Sequence, residues 1–158
     1  MLSKIRTEIK WALIFMIVSL AWMSFERTMG WHGEKIGKHG IYTLFFIPIA
    51  FIVYYLALLN KKSELGGIMT WKEGFKSGII IGIFIAILSP LTQFIVHEII
   101  SPQYFNNIIQ YSIESGNITE EEARAYFNFQ NYVRISVIQA PIAGAVTSAI
   151  ISLLLRNK

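Results

Sequence analysis

Twenty consecutive residues without a charge, Ser77 to Val96, constrain this chain more than any other feature. At about 1.5 Å per residue, such a run crosses a hydrocarbon core of roughly 30 Å as a helix. A polar ramp, GGIMTWKEGFK, leads into it and HEIISP follows it. Gly74, Gly78, Gly82, Ala86 and Pro90 recur at every fourth position. One flank of the helix is therefore nearly bare backbone, on which another helix can lie closely.

The rest of the chain repeats the pattern. Of its 158 residues 54% are hydrophobic and 15% charged, a balance that belongs to a membrane protein and leaves no second soluble core. Trp11 to Phe25 is a first apolar run, extended by Ile5 and Ile9 with Lys4 and Lys10 snorkelling. No small-x-small site follows Ser19-Leu20-Ala21-Trp22, so the run reads as a span rather than a cleaved signal. Gly40 to Asn60 is a second span, with a kink expected near Pro48. Ile135 to Leu155 is the last, opened by Arg134 and closed by Arg156 and Lys158. It carries its own small row, Ala140, Gly144, Ser148 and Ser152, a natural partner for the glycines of the third span.

Between the last two spans lies the one sizeable polar segment. Ser101-Pro102 reads as a cap with proline in the first helical turn, and Gly116 as the residue past that helix. Tyr104, Phe105, Ile108, Ile109 and Ile113 form its apolar face, with Gln103, Asn106, Asn107 and Gln110 opposite. Asn117-Ile118 turns the chain, and Thr119 with Glu122 fits a capping box for a second helix. Lys and Arg number nine on the side of the termini against five on the other, which predicts both ends in the cytoplasm and the hairpin outside.

The run ELGGIMTWKEGFKSGIIIG, the SPQYF after the third span and the closing LLLRNK together resemble a bacterial inner-membrane family known as domain of unknown function 4199. In that family an Asp or Asn usually stands at the position of Ser101, so a role resting on a carboxylate there is not carried over. The resemblance implies four spans and no assigned activity.

The sequence thus predicts an all-α membrane protein, one integral domain over 1–158. Its four transmembrane helices lie at about 5–25, 40–60, 74–96 and 135–155, with an extracytoplasmic helical hairpin at 102–133. The expected location is the bacterial inner membrane. Packing is assigned to Gly74, Gly78, Gly82, Ala86, Ala140, Gly144 and Ser148, and a direct amide bond to the intramembrane pair Gln93 and Gln139. The apolar runs hold no ionisable residue, which argues against an ion-coupled pump. His32, His39 and His97 share the outer side with Glu26, Glu34 and Glu98, a chemistry that suits a zinc-like ion. Their spacing, however, lacks a local i, i+4 ligand pair, and polar residues that merely end spans explain them as simply. No catalytic residue and no cofactor is assigned, and no basic stripe suggests nucleic acid. The expected function is a non-enzymatic interaction or scaffold protein whose partners are the bilayer, its own copy or another membrane protein. The alternatives are a small oligomeric transporter or channel subunit, and then a metal-dependent enzyme at the outer surface.

Overall fold

The computed structural model describes residues 5–116 and 118–157. Lys4, Asn117 and Lys158, assigned above to an anchor, a turn and a closing charge, lie outside the described residues. All regular elements among the described residues are helical: α1 (Arg6–Thr28), α2 (His39–Tyr42), α3 (Phe46–Glu64), α4 (Trp71–Phe94), α5 (Tyr104–Glu114), α6 (Glu120–Tyr126) and α7 (Phe129–Leu155). Short 3-10 turns, Ile36–Lys38 and Thr43–Phe45, flank α2, and a π turn, Ile95–Ile100, prolongs α4. Four tracts, Arg6–Thr28, Ile36–Glu64, Trp71–Ile100 and Phe129–Leu155, are long and apolar enough to cross a membrane.

The boundaries differ from the predicted ones for local reasons. The third tract reaches Ile100 because Ser101 N–H donates to the Val96 carbonyl at 2.7 Å, a wider loop than an α-helical bond. The fourth starts at Phe129, since the Asn128 side chain accepts the Asn131 N–H at 2.9 Å and caps the helix there. Arg134 then lies inside α7, with its guanidinium on Asn131 Oδ1 at 2.7 Å. The distortion expected at Pro48 sits one turn earlier, where Thr43–Phe45 tightens to 3-10. Ser101 does not cap α5; its hydroxyl is engaged elsewhere, as described below.

Antiparallel α4 and α7 form the central pair. Gly74 faces Ser152, Gly78 faces Ser148, and Gly82 lies on the backbone of Ala140 and Pro141. A Cβ at Gly82 would stand 2.7 Å from the Ala140 carbonyl oxygen, and one at Gly144 would stand 2.9 Å from that of Gly78. Only glycine permits that approach. The Ser148 hydroxyl reaches across to the Phe75 carbonyl at 3.4 Å. Tyr54 of α3 brings its hydroxyl against Gly144, and Ala12, Ala57, Leu58, Ile81 and Ile151 complete a core with it. Ile17, Ile87, Ile142 and Leu154 point outward and are at least half exposed, which suits a lipid-facing surface.

The inward face of α1 reads Glu8, Ala12, Phe15, Ser19, Trp22, Glu26, in steps of four and three. Both glutamates are buried, although they lie just outside the ends of the charge-free run Trp11 to Phe25. Glu8 stands at the end of the bundle that bears the chain termini, with one oxygen 3.0 Å from Lys61 Nζ and 2.8 Å from the Ser77 hydroxyl. Nearby, Thr7 bonds Glu64 and Trp11 Nε1 donates to Asn60 at 2.9 Å. Lys62 Nζ caps α7 at the Leu155 carbonyl, 2.8 Å, while Asn157 pairs with both backbone groups of Met69 at 3.1 Å.

Two stability measurements in detergent micelles check this packing. Gly82→Ala should cost about 1–3 kcal/mol, because the clash is with backbone that cannot move aside. Ile87→Ala should cost less than about 0.5 kcal/mol. Leu88→Ala should cost more than Ile87→Ala, since Leu88 packs against the core. Lys61→Met should cost on the order of 3 kcal/mol by leaving the Glu8 carboxylate buried without its cation, and Glu8→Gln in the same chain should recover most of the loss.

Candidate metal centre

The site begins at the last turn of α1. Gly30 takes φ +76°, and the chain closes on itself: Gly30 N–H donates to the Arg27 carbonyl and Trp31 N–H to the Glu26 carbonyl, each at 3.0 Å. This is a Schellman ending, with Trp31 packed on Phe25 at 5.6 Å between ring centroids. The next residue, His32, is thereby turned back towards Glu26. Its Nε2 lies 3.0 Å from Glu26 Oε2. The loop then tightens through Ile36–Lys38 into α2, whose first residue, His39, sets its own Nε2 3.1 Å from the same oxygen. The three atoms lie within 4.8 Å of one another.

Glu26 is fully buried, His32 nearly so and His39 half-buried. Each has its remaining polar atom held from behind. Trp22 Nε1 donates to Glu26 Oε1 at 2.6 Å. His32 Nδ1 meets the Ser101 hydroxyl at 3.1 Å, and His39 Nδ1 meets the Tyr104 hydroxyl at 3.4 Å. Tyr104 in turn contacts the Tyr132 hydroxyl at 3.3 Å. Burial, reinforced by Tyr132 and Glu26, pushes the Tyr104 phenol well above its usual range, so it stays a neutral hydroxyl that both donates and accepts.

Tetrahedral zinc sites hold nitrogen and oxygen ligands at about 2.0–2.1 Å, which spaces neighbouring ligand atoms by roughly 3.3 Å. Two of the three separations here, 3.0 and 3.1 Å, already approach that spacing. Two imidazoles and a carboxylate, each braced by a second hydrogen bond, are a donor set and surroundings of the kind that suits a borderline divalent ion.

The remaining residues singled out from sequence fall elsewhere. His97 is buried beside the site but stacks on Phe105 at 4.1 Å and gives Nε2 to Gln93 Oε1 at 3.0 Å. Its Nδ1 has no partner among the described residues. Glu98 and Glu34 are exposed. The expected Gln93–Gln139 bond is replaced: Gln93 Nε2 donates to the Ser136 hydroxyl at 2.7 Å, while Gln139 lies on the exposed side of α7. Residue 136, one turn before 139, is the one that meets α4 at this depth.

The hairpin lies over the site differently from its predicted faces. Tyr104 and Ile109 turn inward, but so does Asn107, whose Nδ2 donates to the His32 carbonyl at 2.8 Å. The Tyr111 ring rests on Gly37, where a Cβ would stand 2.5 Å from it. Ile113 is partly exposed. The surface beneath α5 is loop backbone around His32 and Gly37, which asks for an amide and a flat ring rather than aliphatic side chains.

A family model described as protein of unknown function, DUF4199, matches residues 10–157. The chain belongs to the DUF4199 family. That match takes in all three converging side chains and both spans of the central pair, so the site lies within the DUF4199 region. No curated protein and no solved structure matches the chain.

Proposed function

We propose that this DUF4199 chain is an integral membrane protein that binds a zinc-class divalent ion at the end of the bundle opposite its termini, through Glu26, His32 and His39. The observation that carries this reading is the convergence of Glu26 Oε2, His32 Nε2 and His39 Nε2, each on a side chain braced from behind. The role is binding and interaction rather than bond-making chemistry. The small-residue flanks of α4 and α7 are spent on each other, so contact with another membrane protein or a second copy falls to the outward faces of α5 and α6. The nine-to-five basic bias supports cytoplasmic ends, with the site outside.

Chelator-treated protein in detergent should take up about one zinc ion per chain, and cobalt(II) in its place should show the absorption of a tetrahedral field. His32→Ala and His39→Ala should each abolish uptake in protein that still elutes as a folded particle. Folded wild-type protein that retains no metal would refute the proposal. Reporter fusions after Gly116 and at the C-terminus test the orientation separately: activity of a periplasmic reporter is expected only at the first.

A second reading, a small transporter subunit, draws on one feature. Glu8 and Glu26 lie on the same face of α1 at opposite ends, eighteen residues or about 27 Å apart. Metal flux into liposomes separates the two readings. Binding without flux supports the first, and flux lost in Glu8→Gln supports the second.

A further inference from the structure

Resting on the metal reading, we infer that Ser101 and Tyr104 are positioning residues for His32 and His39, and that occupancy of the site fixes the outer hairpin in place as its lid. The ligands and the groups that brace them come from different parts of the chain. Glu26, His32 and His39 lie on α1, its exit loop and α2, whereas Ser101 and Tyr104 belong to the segment that enters and forms α5. The lid therefore meets the site mainly through the Nδ1 atoms of the two histidines and the carbonyl of His32.

The direction of those bonds depends on what lies at Nε2. A carboxylate oxygen only accepts, so without metal each Nε2–H donates to Glu26, and the Nδ1 of the neutral imidazole is left to accept from the Ser101 or Tyr104 hydroxyl. With metal at Nε2 the proton stands on Nδ1, and the histidines become the donors. Ser101 Oγ and the Tyr104 oxygen then accept, and the Tyr104 O–H turns to the Tyr132 oxygen that already lies 3.3 Å away. A metal-bound imidazole is a stronger donor than a free one, and removing such outer partners typically lowers metal affinity about 10–100-fold. Coupling of this kind is reciprocal: if the docked lid tightens the metal by that factor, the metal favours the docked lid by the same factor. Both hydroxyl-bearing residues are about 95% buried when docked, so lifting α5 would open the histidines to water.

Asn107 supplies an internal control, because its bond goes to a backbone carbonyl whose character metal does not change. Hydrogen exchange of the α5 amides, measured on the full chain in detergent with chelator and with zinc, tests the inference. Zinc should slow exchange in α5 by about tenfold or more. Ser101→Ala and Tyr104→Phe should bind zinc about tenfold more weakly and lose most of the zinc-dependent protection. Asn107→Ala should speed exchange in both states while keeping their ratio. Zinc bound with unchanged α5 exchange, or bound as tightly by Ser101→Ala and Tyr104→Phe as by wild type, overturns this inference and leaves the metal reading standing. Absence of bound zinc overturns both.

Discussion

The close approach of α4 to α7 is the constraint on which the other placements depend. Gly82 on the Ala140 carbonyl and Gly144 against the Gly78 carbonyl bring two backbones nearer than any side chain allows. In a bilayer, lipid tails are as apolar as leucine, so helices associate through such packing and through the few polar bonds they share. Ser148 contributes one of these to Phe75. With the pair fixed, α3 can seat Tyr54 against Gly144 and α1 can lay its inward stripe on α4. The stripe ends on a glutamate at either side: Glu8 is met by Ser77 of α4 and Lys61 of α3, and Glu26 by Trp22 of α1 itself and by His32 and His39 of the segment that follows.

Those two glutamates are treated differently. Glu8 has a lysine and a serine hydroxyl, and one of its oxygens has no partner among the described residues. Its surroundings are those of a helix-to-helix ion pair joining α1 and α3. Glu26 has no lysine or arginine partner among the described residues; it has two imidazoles and an indole. Both of its oxygens are engaged, and the rings that engage them are themselves braced. The difference in partners, not in burial, separates a structural carboxylate from a candidate ligand.

The fold was legible in the sequence because the bilayer imposes a simple code of run length and span-ending charge. Small residues at every fourth position added which flank would be bare, and the structure sets Gly78 against Ser148. The site was only half legible. Its histidines were visible as a set, but a search for i, i+4 pairs passes over Glu26, His32 and His39, because a loop and not a helical face brings them together. One signal did point there: Gly30, five residues past Phe25, the last apolar position of α1, and followed by Trp31, is the composition of a Schellman ending. Read that way, the chain after Thr28 must turn back, and His32 must return towards the helix it has just left. Asn107 was hidden for a related reason. Amphipathic patterning assumes an apolar floor beneath α5, whereas the floor is loop backbone with a carbonyl to satisfy.

The expense of this end of the bundle bears on its role. A buried carboxylate that lacks a partner costs several kcal/mol, and even a well-partnered one is often no more stabilising than apolar packing of the same volume. Residues that merely end a span have water and headgroups beside them and need no such arrangement; Glu34 and Glu98, exposed at this same end, show that simpler solution. Glu26 is instead enclosed by Trp22, His32 and His39, with Ser101 and Tyr104 behind them and α5 laid over the top. Each added layer satisfies a polar atom that the previous layer buried. Two imidazoles converging on one oxygen of a buried carboxylate are what a cation needing that charge would find here, and the proposed site rests on that convergence.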